Sequence, residues 1–382
     1  RGCTRGCRFC QAGMVTRPVR ERSVDEIIEA LDEALATTGF EEVGLLSLSS
    51  SDYTNVLELV QKVSDRYIDK HLSVSLPSLR IESFSADLME ALQSTRRSGF
   101  TLAPEAATER MRDIINKPVS TDQLLDTARE IYSRGWTNIK LYFMIGHPSE
   151  TIEDVQGIID LCIAVRNEGR KAIGKRAQVT AGVSTFVPKP HTPFQWVPCD
   201  TIEHIKIKQE LLRSGLRGQG LKLNWNDPRE TMLEAWLSRG DRRMAGVVHQ
   251  AWRNGAKFDA WSEHFQYGSW IAAFEEEGLS PEFYTHRERP IDETFPWEHI
   301  DSTVRKKFLT EDYLWSLEGR TRIDCRERCF ACGILPRFAD LRRQNPGEVW
   351  QCPEVRSKPV SYTHLTLPTT IPSCRSRWSR YH

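Results

Sequence analysis

Three cysteines stand within the first ten residues, Cys3, Cys7 and Cys10, in the run RGCTRGCRFC. Thiolates are ligands for iron and zinc, and three of them on one short loop can converge on a single metal centre. A zinc knuckle closes its tetrahedron with a fourth ligand nearby, yet the next His and Cys along the chain are His71 and Cys162. Packed core cysteines would lie in an apolar periodic run, whereas these sit among Arg1, Arg5, Arg8 and small residues. The spacing points to a three-thiolate site with one coordination position open to something other than the protein.

A second group, Cys325, Cys329 and Cys332, repeats the three-then-two spacing in DCRERCFACG. Cys352 is available as a fourth ligand, so an auxiliary iron–sulfur cluster and a structural zinc both fit. Arg326 and Arg328 beside these sulfurs are expected to favour thiolate over thiol. Cys162 falls instead on an apolar helix face with Ile158, Ile159 and Val165, which marks a core residue.

The elements that must position these groups alternate along the chain. Ser23 and Glu26 form a capping-box pattern ahead of an amphipathic helix that stops at Gly39. Strands are expected in EVGLLSLSS, LSVSLPSLR, GFTLAPEA, NIKLYFMIG and QVTAGVSTFVPKP, with helices between them, including SADLMEALQST. Such alternation predicts βα units and a parallel sheet. With one strand implied before Cys3, a doubly wound sheet and a barrel both fit the count. Polar residues gather at the C-terminal strand ends, in SSSDY, LR, PEA, GHPSET and PKPHTP, as in barrels whose active site lies on that face. The expected fold is therefore α/β, a partial (β/α)6 TIM-like barrel with its first strand truncated, followed by a mostly helical C-terminal region. The expected boundaries are 1–216 for the barrel, 217–335 for a helical, Trp-rich region carrying the second cysteine group, and 336–359 for a linker. Residues 360–382 have no periodicity, resemble translated adapter sequence and are set aside. Tryptophans at helical spacing in the second region are expected to form core and cover for the barrel.

Composition narrows the function classes. The chain has 382 residues, 39% hydrophobic and 27% charged, enough to bury a sizeable core. Lys plus Arg and Asp plus Glu both number 52, so no global field recruits nucleic acid or an anionic membrane. No apolar run approaches the roughly 18 residues of a membrane span, and no signal segment precedes the first motif. A cytoplasmic protein is expected, and ten cysteines there suggest metal or redox chemistry more than disulfides.

The arrangement Cys3-x3-Cys7-x2-Cys10, with Phe9 before the third cysteine, resembles the signature of the radical SAM superfamily. That resemblance implies that the three thiolates hold three irons of a 4Fe-4S cluster, while S-adenosylmethionine chelates the fourth through its amino and carboxylate groups. It also implies an electron donor such as flavodoxin or ferredoxin, reductive cleavage to methionine and a 5'-deoxyadenosyl radical, and hydrogen abstraction from a substrate. The strand ends SLSSSDY, LPSLR, TLAPEAATERMRDIINK, LYFMIGHPSET and FVPKPHTPFQW are similar to a bacterial branch in which a cobalamin-binding-like domain precedes the barrel. This similarity covers roughly residues 1–335. Cobalamin is thus expected of a longer parent.

By the same resemblance Phe9 borders the cofactor, and Ser49 and Ser50 occupy the place of a Gly-Gly-Glu segment that holds the methionine amino group, with Asp52 the available carboxylate. Arg80 is expected to pair with the cofactor carboxylate. Glu105 is expected to accept hydrogen bonds from ribose hydroxyls or the amino group, and Gly146 and Pro148 to let the backbone approach adenine. His147 stands where close relatives often have Leu and reads as a local variant, while His191 is the candidate for facing the cavity. The implied function is radical SAM catalysis on an unidentified substrate. Methylthio transfer to RNA or ribosomal protein, and a non-catalytic iron–sulfur electron-transfer or regulatory module, are the competing readings.

Overall fold

The structure, a computed structural model, describes residues 1–67, 72–75, 80–81, 100–345 and 352–353. Among these residues six strands alternate with helices. β1 (Glu42–Gly44) pairs in parallel with β2 (Ser73–Ser75), and β3 (Phe100–Glu105), β4 (Asn138–Ile145), β5 (Gln178–Thr185) and β6 (Leu221–Trp225) form a parallel sheet in that order. The helices preceding that sheet are α1 (Gln11–Val15), α2 (Val24–Thr38) and α3 (Val56–Arg66). Between its strands run α4 (Glu109–Ile114), α5 (Thr121–Ser133), α6 (Ile152–Ile173) and α7 (Ile202–Gly215). Beyond it lie α8 (Pro228–Arg239), α9 (Met244–Arg253), α10 (Tyr267–Glu276), α11 (Pro281–Thr285), α12 (Lys306–Leu317), α13 (Ile334–Arg337) and α14 (Ala339–Gln344). The architecture is α/β, a four-stranded parallel sheet with helices between its strands, followed by a helical region.

Local chemistry explains where the elements start. The Ser23 hydroxyl accepts from Glu26 N at 3.3 Å while the Glu26 carboxylate accepts from Ser23 N at 2.7 Å, closing the anticipated capping box. Ser120 and Gln123 repeat it at the head of α5, and Thr151 and Asp154 at the head of α6. Strand alternation divides β4 into two faces. Ile139, Leu141, Phe143 and Ile145 are buried, and with Val179, Ala181 and Val183 of β5 they join a core that includes Val155, Ile158, Ile159 and Cys162 of α6. Each large side chain so buried contributes about 1.5–3 kcal/mol. Lys140 and Tyr142 point the other way, into the open concave face, where Tyr142 is 47% exposed. Gly182 makes room for that ring, since a Cβ there would lie 2.7 Å from it.

A second core of Met14, Met111, Phe186, Phe194, Trp196, Phe295 and Phe308 joins the first cysteine loop to α12. Three features differ from the sequence expectation. The strand expected over EVGLLSLSS is confined to Glu42–Gly44, and Leu46 is 79% exposed. β6 was not anticipated: LKLNW lies beyond residue 216, where only helices were expected, yet it pairs with β5. Trp236 and Trp270 are core residues as expected, but Trp252 and Trp261 are 56% and 61% exposed. The helix expected over SADLMEALQST and the segment from Val360 onward lie outside the described residues.

Candidate active site

The first cysteine loop has no regular structure until α1, so its shape rests on side chains. Cys10 N donates to Cys7 O at 3.1 Å, and Cys10 then caps α1 by accepting Gly13 N on its sulfur at 3.3 Å. Gly13 has Cys10 Sγ on one side and Cys3 Cβ on the other, at 3.4 and 4.0 Å from where its own Cβ would be. Arg8, between Cys7 and Phe9, is fully buried and holds the loop down. Its backbone N donates to Ile115 O at 3.0 Å, and its guanidinium reaches Ile114 O at 2.8 Å and Asp312 Oδ1 at 3.2 Å. Asn116 donates to the carbonyls of Arg5 and Gly6 at 3.2 and 3.1 Å and accepts from Arg322 N at 2.7 Å. Asp312 Oδ1 also accepts from Arg322 Nε at 2.8 Å, so one buried carboxylate serves two guanidinium groups. Burial pushes the Cys3 thiol up and the Cys10 thiol up to about 11. The charge of Cys7 adds to both, and that of Cys3 to Cys10, so the three sulfurs share one electrostatic neighbourhood.

Strand ends ring this loop. Asp52, in the turn after the Ser49–Ser50 segment, accepts from Arg5 at 3.1 and 2.5 Å and from Ser49 at 2.6 Å, with Arg80 at 4.0 Å. Burial alone would raise its pKa, but the hydrogen bonds from Arg5 and Ser49 prevail and hold it below the usual range. Ser50 turns away, donating to Leu45 O at 3.0 Å. Arg80 Nη2 donates to Cys7 Sγ at 3.4 Å, so its guanidinium lies between the thiol and Asp52. Glu105 ends β3 in the left-handed region, φ 67°, at a register shift in the sheet, and meets Lys117 at 3.1 Å. Its charge is felt by Cys10.

Phe9 faces the turn after β4, its ring 6.2 Å from His147, which lies 5.1 Å from Phe186. His147 is 4% exposed, and neither ring nitrogen makes a hydrogen bond of acceptable geometry. Burial, with Lys208 adding to it, pushes its pKa down to about 3, although the Glu105 backbone lies close enough to oppose this slightly. Gly146 needs its φ of 85° and its missing Cβ, which would stand 3.2 Å from Asp200. Its N donates to Glu150 at 2.7 Å, and Lys208 bridges Glu150 and Asp200 at 2.7 Å each. Pro148 is half-buried in the turn that follows. His191 is half-buried with φ 57°, its N held by Gln195 at 3.0 Å.

Residues 1–162 match the family model described as the radical SAM superfamily. The chain carries a radical SAM domain. An uncharacterised protein of Methanocaldococcus jannaschii is 29% identical over 279 residues, 73% of this chain and 59% of that protein. Two proteins named tRNA-2-methylthio-N(6)-dimethylallyladenosine synthase are also similar. The one from Desulforamulus reducens is 26% identical over 173 residues, 43% of this chain and 38% of the relative. The one from Acetivibrio thermocellus is 24% identical over 176 residues, 43% of this chain and 36% of the relative. The chain thus spans less than two thirds of the length of each.

The donor set suits the cluster and S-adenosylmethionine that a radical SAM domain implies. Three thiols share one loop, a carboxylate and a guanidinium stand beside them at Asp52 and Arg80, and an orphaned imidazole waits at His147 behind Phe9. Among the described residues no three His, Cys, Asp or Glu side chains gather closely enough for a single metal ion. A cluster tolerates wider spacing because its own irons lie between the sulfurs. Of the residues named for the radical SAM site, Arg80 meets Cys7, Glu105 lies within electrostatic reach of Cys10, Ser49 bonds Asp52, Ser50 bonds Leu45 O and Phe9 faces His147. Asn116, Lys117, Glu150, Lys208 and Asp200 were given no role from the sequence, and Arg8 only a place beside the cysteines, because most of their partners are distant in the chain. Asn116 and Lys117 do stand in the quoted DIINK, and Glu150 in GHPSET.

The second group lies next door. Cys325 N donates to Thr4 O at 3.1 Å, and Thr4 Oγ1 donates to Asp324 at 2.7 Å. Burial pushes the Cys325 thiol up to about 12, outweighing the nearby charge of Arg17. At Cys325, then, desolvation outweighs the cationic neighbour, and a bound metal must displace that proton.

Proposed function

We propose that this chain is the catalytic core of a radical SAM enzyme that cleaves S-adenosylmethionine reductively and acts on a substrate not yet identified. The observation that carries the reading is the convergence of Cys3, Cys7 and Cys10 with Asp52, Arg80 and Glu105 at one end of a parallel sheet. When bound, a reduced 4Fe-4S cluster supplies one electron to S-adenosylmethionine, giving methionine and a 5'-deoxyadenosyl radical. Cys3, Cys7 and Cys10 would hold the cluster, each after losing its proton. Asp52 offers a carboxylate to an ammonium group and Arg80 a planar guanidinium to a carboxylate, the two ends of a methionine moiety. Glu105 offers acceptors for hydroxyl groups, with Lys117 fixing its orientation. Beside Phe9, the neutral His147 ring offers two unbonded nitrogens to a flat heterocycle, in the turn that holds Gly146 and Pro148. The concave face holds a cavity of about 310 Å³ lined by Lys140, Tyr142, Thr180, Ser184 and Asn224, room for a substrate beside the sheet.

The test is anaerobic reconstitution with iron and sulfide, reduction, and quantification of 5'-deoxyadenosine and methionine. Release of both by the wild type and not by the Cys7→Ala variant supports the reading. A loaded, reduced protein that binds S-adenosylmethionine and releases neither overturns it and leaves an iron–sulfur carrier or regulatory module. A flavodoxin- or ferredoxin-class donor is the natural electron source. Cobalamin enters only through the resemblance of the strand-end motifs.

Methylthio transfer to tRNA is a second reading, favoured by the printed names of two relatives. Those similarities cover 43% of this chain, so the substrate does not follow from them. Appearance of methylthioadenosine nucleosides in tRNA treated with the loaded protein distinguishes it.

A further inference from the structure

We infer that Cys325, Cys329, Cys332 and Cys352 hold a second iron–sulfur cluster, in a cavity whose wall includes Cys3, so that the two clusters form one coupled unit. The inference rests on the first group holding a cluster, as proposed above, only for the coupling. The site itself stands on separate observations. All four sulfur-bearing residues line one cavity of about 540 Å³, together with Cys3 and Arg17. Cys325 feels the charges of Cys352 and Cys332, so at least three of the four share a neighbourhood although Cys352 is 20 residues beyond Cys332.

The loop is shaped without help from its thiols. Asp324 accepts from the backbone N of Arg326 at 2.8 Å, and its carbonyl accepts from Glu327 N at 3.0 Å. Cys332 O accepts from Arg305 N at 2.8 Å. Ala331 and Gly333, on either side of Cys332, have φ of 54° and 122°, and a Cβ on Gly333 would stand 2.5 Å from Thr303 O. Such conformations are strained for a non-glycine residue and persist where the surroundings impose them. Here they fix the direction in which Cys332 leaves the chain. Phe330 anchors the turn under the Arg322 guanidinium, 4.8 Å from its ring.

Two arguments favour a cluster over zinc. The sulfurs line a cavity, whereas no three ligand side chains among the described residues come together on the scale of one ion. Four thiolates around a 4Fe-4S core leave a net negative charge, and Arg17, Arg20 and Arg326 line the same cavity to offset it. The set also differs from the first in having its own fourth cysteine, so no iron is left open for a cofactor. Adjacency follows from the backbone. The Cys325 N to Thr4 O hydrogen bond puts the two loops in direct contact one residue from Cys3.

The test counts iron and reads the coupling. Anaerobically reconstituted wild type should hold about eight irons and eight sulfides per chain, and the Cys3→Ala/Cys7→Ala/Cys10→Ala variant about four of each. The Cys325→Ala/Cys329→Ala/Cys332→Ala variant should likewise hold about four. Reduced wild type should show an electron paramagnetic resonance spectrum that is broadened or faster-relaxing than the sum of the two variants. Circular dichroism confirms that each variant is folded, and Mössbauer counting of irons in the wild type gives the same answer without any substitution. Zinc in place of iron in the first variant, or a folded first variant with no metal, would each overturn the site. Two clusters whose spectra simply add would overturn the coupling. None of these readouts depends on S-adenosylmethionine cleavage, so this inference can fail while the proposed activity stands, and the reverse.

Discussion

The two cysteine loops share one spacing and are held in opposite ways. The first is stapled from below by charge: Arg8, fully buried, runs to Asp312 and to the carbonyl of Ile114, and Asn116 clamps the loop backbone. The second is held by backbone conformation, at Ala331 and Gly333, and by leaning on the first through Thr4. Their surroundings differ in the same sense. Around the first stand Asp52, Arg80 and Glu105, the groups proposed to receive S-adenosylmethionine, and around the second stands a fourth cysteine. Identical spacing therefore specifies only that a cluster can form; the neighbours decide whether it stays open to a cofactor.

The comparison can be broken most strongly at Asp312. Removing it in Asp312→Ala leaves Arg8 and Arg322 buried without their shared carboxylate, which should cost about 3–5 kcal/mol in urea unfolding. Iron should fall chiefly at the first site. A loss under about 1 kcal/mol would mean that Arg8 is not the staple.

Gly333→Ala attacks the other loop. An alanine at φ 122° with its Cβ against Thr303 O should cost about 3 kcal/mol and lower iron at the second site while S-adenosylmethionine cleavage at the first persists. Equal loss at both sites would show that the loops do not fold separately enough to be compared.

His147 sharpens the comparison through pH. Its ordinary pKa is near 6.5 and burial pushes it down to about 3, so between these values the unfolded chain binds a proton that the folded chain does not. Stability from this group is complete above about pH 6.5 and drains away as pH falls towards 3. At pH 5 the loss is about 2 kcal/mol, and His147→Leu should remove it, flattening the stability profile between pH 7.5 and 5. An unchanged profile would mean that the ring is not buried neutral beside the first loop.

Thr201→Ala is the smallest change. It removes the N-cap of α7, whose hydroxyl accepts from His204 N at 3.2 Å, and should cost about 1 kcal/mol with iron content unchanged. Loss of iron here would show that modest destabilisation strips clusters unspecifically.

What could be read from the chain alone was what is local. Ser23 with Glu26, the alternation in NIKLYFMIG, and three cysteines in ten residues each announce an element or a ligand set over a few positions. β6 escaped because LKLNW leaves Lys222, Asn224 and Trp225 exposed, so its apolar signal reduces to two leucines. The role of Arg80 was half legible: a guanidinium at a strand end suggests an anion, but its place against Cys7 depends on a loop 73 residues away. Arg8 and Asp312, and Glu150 with Lys208 and Asp200, are joined only by folding. No helix among the described residues is long and apolar enough to cross a membrane.

The most direct test of the central claim is the yield of 5'-deoxyadenosine from the reconstituted, reduced wild type set beside that of the Cys3→Ala/Cys7→Ala/Cys10→Ala variant. The account predicts 5'-deoxyadenosine with matching methionine from the wild type, and none from the variant even though it still carries iron. Equal yields from both, or none from a fully loaded wild type, would contradict it.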